Sequence, residues 1–309
     1  MNKKKILITG ICGFLGSNLA LELTASGYDV FGLGHRGENF DFIQSKIKKI
    51  VISDINIESI RSFNIQFDTI VHCGGSGAVS FSVINPEQDF NRSVLTTLYS
   101  LEYIRLFSPS TRFIYPSSPA VQGCTSSNIF RVQDPLNPVS PYGTHKKIAE
   151  DLCRSYALNY NLDYTIIRFF SIYGDGLQKQ LIWDAVNKLS ESNTGTVEFW
   201  GTGNETRDWI HVSDATELIR LVIEKATEHK ILNCGAGLSV SIKDTVKLLA
   251  NKLNADRCEI SFNGKIKAGD PQHYLADISE SLSLGWEPKV SLESGIDRYI
   301  KWFKGIEND

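Results

Sequence analysis

The sequence predicts an α/β protein, a doubly wound parallel sheet with a smaller C-terminal α/β lobe. Three observations carry this. Short β-branched runs alternate with helix-length amphipathic stretches through the first half, the pattern of βαβ units. A glycine-rich turn, Gly10-Ile11-Cys12-Gly13-Phe14-Leu15-Gly16, stands directly between the first run and the first helical pattern. After Arg168 the alternation breaks into shorter pieces around Gly174-Asp175-Gly176 and Gly201-Thr202-Gly203.

Taken in order, strands are expected at Lys5–Thr9, Asp29–Leu33, Thr69–His72, Arg112–Tyr115 and Tyr164–Arg168. Helical patterns lie between them at Ser17–Thr24, Pro86–Phe107 and Pro141–Tyr160. Within Pro86–Phe107, Val94, Leu98 and Leu101 fall at i, i+4 and i+7, one face of a helix. The second half holds a helix-like segment, a short run at Thr196–Trp200, and an αβα pattern over Ser213–Lys225, Ile231–Asn233 and Ser241–Leu253. Cys258–Phe262 is a further apolar run, and a last helix is expected near Leu292–Phe303. Residues 1–170 thus read as the doubly wound domain, with a return segment near 205–235. Residues 171–309 read mainly as the smaller lobe.

Composition narrows the class. The 309 residues carry Lys+Arg 32 against Asp+Glu 35, a net charge of −3, so no basic excess points to nucleic acid. No apolar run reaches the roughly 18 residues of a membrane span. The basic start Met1–Lys5 is followed by an apolar stretch that stops at Thr9-Gly10, short of the roughly 7–15 residues of a secretion signal. A cytoplasmic protein is expected. The cysteines (Cys12, Cys73, Cys124, Cys153, Cys234, Cys258) show no C-x-x-C pair, which suggests buried thiols rather than a metal site or disulfides.

The glycine turn fits a dinucleotide. Glycines let the backbone approach a pyrophosphate, and a helix N-terminus offers free N–H groups and partial positive charge. The second strand normally ends in a carboxylate that binds the adenosine ribose. Here it ends Gly34-His35-Arg36. A cation in place of the acid inclines the reading to NADP, with Arg36 on a 2′-phosphate. If Arg36 is a solvated loop residue, NAD is used without the usual clamp.

Ser140-Pro141-Tyr142-Gly143-Thr144-His145-Lys146 carries the most chemistry. Ser140 can cap a helix that Pro141 begins, placing Tyr142 and Lys146 one turn apart on one face. An ammonium beside a phenol lowers its pKa from about 10, so Tyr142 can exchange a proton with a substrate hydroxyl. Tyr115-Pro116-Ser117-Ser118 ends a strand at the same carboxyl edge, where doubly wound sheets place ligands.

With these motifs on the page, the sequence resembles an extended short-chain dehydrogenase/reductase of the NAD(P)-dependent nucleotide-sugar epimerase/dehydratase family, whose sheet is of the Rossmann type. The resemblance runs through His72–Val79 with Ser82, Ser117–Gly123, Pro141–Lys146 and Arg168–Gly174. It continues in Thr206-Arg207-Asp208-Trp209, Gly269-Asp270 and Leu284-Gly285-Trp286-Glu287-Pro288. It implies Tyr142 as acid/base, Lys146 as its partner and nicotinamide-ribose ligand, and Ser118 at the reacting oxygen. Gly10, Gly13, Phe14, Leu15, Gly16, His35 and Arg36 would line the cofactor, with Asp54 and Ile55 beside adenine. Ser171, Arg207 and Lys267 would meet a nucleotide-diphosphate sugar, the two cations neutralising its phosphates. A homodimer through a four-helix bundle of Pro86–Phe107 and Pro141–Tyr160 is also implied.

Departures from the family pattern select among its reactions. Ser118-Pro119-Ala120 lacks the acid that dehydratases place after the catalytic hydroxyl, and Ala120 stands where C5 epimerase-reductases have cysteine. Ser93 and Ser171 replace asparagines, and Gln122 replaces a common tyrosine, with contact to the sugar and loop packing both open for it. What remains is hydride transfer at C4: a 4-epimerase, or alternatively an NADPH-dependent 4-keto-(6-deoxy)hexose reductase. A non-catalytic NADP-sensing regulator is the remote alternative, disfavoured because Ser118, Tyr142 and Lys146 are all present.

Overall fold

The computed structural model describes residues 3–305 except 38, 126, 192–194, 226, 256–257 and 266–271. Its centre is a seven-stranded sheet. The strands are β1 (Lys5–Thr9), β2 (Asp29–Gly34), β3 (Lys49–Ile52), β4 (Thr69–His72), β5 (Arg112–Ser117), β6 (Tyr164–Phe169) and β7 (Ile231–Cys234). They lie in the order β7-β6-β5-β4-β1-β2-β3, every neighbouring pair parallel.

Strand periodicity explains the layers. Successive side chains point to opposite faces. Ile6 and Ile8 therefore join one core with Leu19, Leu23, Leu218 and Val222, while Leu7 joins another with Leu101, Ile104, Ala149 and Cys153. The covering helices are α1 (Phe14–Ala25), α2 (Thr96–Phe107), α3 (Pro141–Tyr160) and α4 (Val212–Glu224). α1 packs with α4 on one face, and α2 with α3 on the other. Both faces being covered, the strands are continuously apolar rather than alternating.

The chain runs outward from β1 to β3, then returns to place β4 on the other side of β1. That reversal opens a crevice at the carboxyl ends of β1 and β4, where open α/β sheets bind ligands.

The structure departs from the sequence reading in three places. β3 was not anticipated. It is a four-residue edge strand, exposed or half-buried throughout, and its apolar run Ile50-Val51-Ile52 is too short to stand out. α1 begins at Phe14 because the turn of Gly13 already leads into the helix. Pro86–Phe107 is not one regular helix: Pro86–Phe90 and α2 are joined by a π-helical turn at Asn91–Leu95. There the Thr96 and Thr97 hydroxyls donate to the carbonyls of Arg92 and Ser93, the back-bonding that disturbs a regular ladder.

The smaller lobe has its own core, including Tyr173, Ile182, Phe199, Trp209, Leu249 and Tyr299. Its strand Gly195–Phe199 pairs with Cys258–Phe262, and Ser171–Tyr173 pairs with Trp209–His211. The tail is fastened back to α4. Buried Trp286 donates its Nε1–H to the Asp214 carbonyl at 3.0 Å, and the Asp214 carboxylate accepts from the Lys289 and Val290 N–H groups. Cys12, Cys153, Cys234 and Cys258 are buried, whereas Cys124 is exposed. Among the described residues no helix is long and apolar enough to cross a membrane, and no acid, histidine and cysteine cluster is placed to hold a metal.

Candidate active site

The crevice is lined first by the glycine turn. Gly10 has φ +67°, and a Cβ there would sit 2.6 Å from the Gly74 nitrogen at the end of β4. A Cβ on Gly16 would run into the Gly10 carbonyl. These two positions let the turn lie flat against the sheet. Gly13 is exposed and caps α1 without any side-chain hydrogen bond, so the first N–H groups of the helix are left for another acceptor. A backbone cradle with free donors at a helix start is what a pyrophosphate needs. Leu15 packs into the sheet core, and Phe14 into the core of the smaller lobe.

At the tip of β2, His35 Nε2 lies 2.7 Å from Asp54 Oδ1, both side chains exposed. Arg36 pairs with Asp41 at 3.0 Å and lies over the Phe40 ring at 4.6 Å. Ile55 reaches across to Gly74, where a Cβ would collide with its Cδ1.

The second wall is the start of α3. The Ser140 hydroxyl accepts from the Gly143 N–H at 3.2 Å, and Ser82, from the helix Val79–Ile84, accepts from the Tyr142 N–H at 3.0 Å. Pro141 occupies the first turn, where its missing N–H costs nothing. Gly143 is required by contact, since a Cβ would strike the Ala120 carbonyl. That close approach brings the Tyr142 phenol beside Ser118, whose hydroxyl favours the phenolate. One turn on, buried Lys146 donates to the Pro116 carbonyl at 2.9 Å. Its Nζ lies 4.8 Å from the Tyr115 ring centre and 6.0 Å from that of Tyr142.

The electrostatics correct one expectation. Lys146 was expected to lower the Tyr142 pKa, but burial pushes the phenol up to about 12, with Ser118 opposing and Asp89 adding to the rise. Burial also pushes Lys146 down to about 8, opposed first by Asp89. Taking both groups out of water outweighs their mutual effect. His72, buried beneath them, is pushed down to about 3 by burial and by Lys146, so it is neutral. Its Nδ1 and the Thr9 hydroxyl are 2.7 Å apart.

With the cradle and the Tyr–Lys–Ser group at one sheet edge, the comparisons with known proteins become informative. Residues 6–235 match the NAD dependent epimerase/dehydratase family. The chain belongs to this family. It is 28% identical over 319 residues to a putative UDP-glucose 4-epimerase of Methanocaldococcus jannaschii, covering 97% of this chain and 98% of that protein. MoeE5, solved in complex with UDP-glucuronic acid and NAD, superposes with a TM-score of 0.86 at 26% identity, over 97% of this chain and 99% of that one. The UDP-glucuronic acid 4-epimerase of Bacillus cereus shares the Rossmann fold, with a TM-score of 0.86 at 24% identity over 98% and 100% of the two chains.

In this family member the remaining residues sort as follows. Ser171 opens the strand that pairs with Trp209–His211, its N–H donating to the Asp208 carbonyl. Arg207 sits beside it on the lobe, over the Tyr274 ring at 5.5 Å. Asp208 faces away from Arg207, accepting from the Ala236, Gly237 and Ala276 N–H groups at 2.6, 3.1 and 2.9 Å. Gln122 is a packing residue, fully buried and donating to the Arg131 carbonyl. Lys267, with Gly269 and Asp270, lies outside the described residues.

Sequence reasoning missed two groups. Glu150 accepts from Ser117 Oγ at 2.7 Å and grips buried Arg168 through both oxygens, at 3.0 and 2.8 Å. Its spacing, eight residues after Tyr142 and four after Lys146, was the available signal. Asp89 and His145 form the other, Oδ2 to Nδ1 at 2.5 Å. They are 56 residues apart, and no local pattern links them.

Proposed function

We propose that the protein is an NAD-dependent nucleotide-diphosphate-sugar 4-epimerase acting on a UDP-hexose or UDP-hexuronate. The observation that carries this is the grouping of Tyr142, Ser118 and Lys146, the last bonded to the Pro116 carbonyl, at the edge that holds the glycine cradle. Relatives named for UDP-glucose and UDP-glucuronate 4-epimerisation support the substrate class.

When bound in the cradle, NAD would supply a reversible acceptor for the C4 hydride. Ser118 holds the C4 oxygen by hydrogen bond, fixing it beside the phenol. Tyr142, which burial holds protonated at rest, must first give up its proton; as the phenolate it takes the C4 hydroxyl proton as the carbonyl forms and returns it once the 4-keto sugar has presented its other face. Lys146, still largely charged at neutral pH, faces the phenol ring and stabilises the transient phenolate. Arg207 binds the diphosphate, which Lys can share less specifically than Arg. Lys267 and Ser171 complete the substrate contacts. Gly10, Gly13 and Gly16 hold the cofactor pyrophosphate, with Asp54 and Ile55 at the adenine.

The cofactor is read as NAD. Arg36, which inclined the sequence toward NADP, is engaged by Asp41 and stacked on Phe40. With it goes the main support for an NADPH-dependent reductase. A homodimer through the helices Pro86–Phe107 and α3 is part of the proposal, supported by exposed Leu158 and Leu106.

The deciding experiment denatures the purified protein without added cofactor and identifies the released dinucleotide by mass spectrometry. Retained NAD(H), followed by interconversion of UDP-sugar C4 epimers without net cofactor consumption, is the expected result. An empty site that prefers NADPH, with turnover only on 4-keto sugars, would overturn it in favour of the reductase.

A further inference from the structure

Lys146 is an ammonium with 6% exposure, and it donates a hydrogen bond to the neutral Pro116 carbonyl. A buried charge in that position needs a compensating one. The groups that face it can be taken element by element. From β4 and the turn after it come neutral His72 and the Cys73 thiol, whose pKa burial pushes up to about 12. From β5 comes the Tyr115 ring. From its own helix come Tyr142, Glu150 and the Cys153 thiol. Glu150 is the obvious candidate, but it is already bound by the guanidiniums of Arg168 and Arg154, at 2.8 and 2.9 Å. Its charge is shared with those two guanidiniums, and its pull on Lys146 is weaker than that of Asp89.

That leaves Asp89, on the short helix Pro86–Phe90 packed against α3. It is fully buried, one carboxylate oxygen lies 2.5 Å from His145 Nδ1, and the other has no hydrogen-bond partner among the described residues. His145 directly precedes Lys146 and is fixed in turn by the edge-on Phe90 ring at 5.4 Å. A buried carboxylate with one histidine partner and a buried ammonium with no acid within 4 Å among the described residues thus stand on adjoining elements.

We infer that Asp89, oriented by His145, is the counter-charge that keeps Lys146 protonated, making the pair positioning residues for the Tyr142–Lys146 proton site. The inference rests on the reading of Tyr142 and Lys146 given above, but its test does not need a substrate. Competitive acetylation of the whole protein across pH, with the Lys146 peptide quantified by mass spectrometry, reports the lysine's own titration midpoint. Burial, which pushes Lys146 down to about 8, sets the expected wild-type midpoint. In Asp89→Asn it should fall by about one unit, making unprotonated Lys146 about fivefold more abundant at pH 7. The double variant Asp89→Asn/His145→Gln keeps a neutral hydrogen bond at the site, and so guards against loss of folding. It should show the same fall. An unchanged midpoint in either folded variant would overturn the inference, while leaving the epimerase reading to its own assay. Where a UDP-sugar assay is in hand, the alkaline limb of kcat should move with the midpoint.

Discussion

Lys146 donates to the carbonyl of Pro116 at 2.9 Å, and this contact sets α3 against the end of β5. The same helix face makes two more contacts with the same strand end. Tyr142 meets Ser118 one turn earlier, and Glu150 meets Ser117 one turn later. Helix spacing of four residues thus brings three polar side chains to three consecutive positions, 116 to 118. The phenol is positioned by the whole seam rather than by its own bond alone.

The far end of that seam should dominate stability. Glu150→Gln leaves Arg168 buried without its bidentate partner, a change that costs about 3–5 kcal/mol. Urea denaturation should show this loss, and Glu150→Leu with Arg168→Met should recover much of it.

Tyr142→Phe removes the exchangeable proton but keeps the ring. Turnover should fall by about 10²- to 10⁴-fold. Dinucleotide affinity, measured by calorimetry, should stay close to wild type, and a comparable loss of affinity would count against the acid/base role.

Gly10→Ala tests the cradle. The added methyl would occupy the space of the Gly74 backbone at a left-handed φ. Dinucleotide binding should be lost, whereas alanine at Gly27, where a Cβ meets nothing within 4 Å, should leave it intact. Equal binding by both variants would mean that the turn does not hold the cofactor.

Two buried histidines give stability a defined pH dependence. His72 and His211 are pushed down to about 3 and about 4 by burial, below the usual 6.5. The unfolded chain therefore binds protons first, so stability is full above pH 6.5 and is lost as pH falls toward 4. Each contributes a slope of up to about 1.4 kcal/mol per pH unit. His72→Gln should flatten that slope in denaturant titrations run between pH 7 and 4.

Asp208 acts with the opposite sign. Burial holds its carboxyl up at about 6 despite backbone donors that include Ala236, Gly237 and Ala276. The folded state binds this proton more tightly than the unfolded one. Its contribution is fully present below about pH 4 and fades as pH rises through 6. Asp208→Asn should remove that component and leave the histidine slope in place.

The sequence by itself determined the class of sheet, the glycine turn, and the residues that meet at the site. It could do so because each signal is local: alternating apolar runs, glycines at a strand–helix junction, and Tyr142 and Lys146 one helical turn apart. It did not disclose β3, whose short lysine-led edge strand carries no periodic signal. Nor did it disclose the break between Pro86–Phe90 and α2, where side-chain hydroxyls compete with the backbone. The charge states were also beyond it. Local spacing suggested a lysine that lowers the tyrosine pKa, but burial, which only the packed helices and sheet create, raises the tyrosine and lowers the lysine. The Asp89–His145 and Glu150–Arg168 pairs are likewise tertiary facts, because they join residues on separate elements that touch only once the chain has folded.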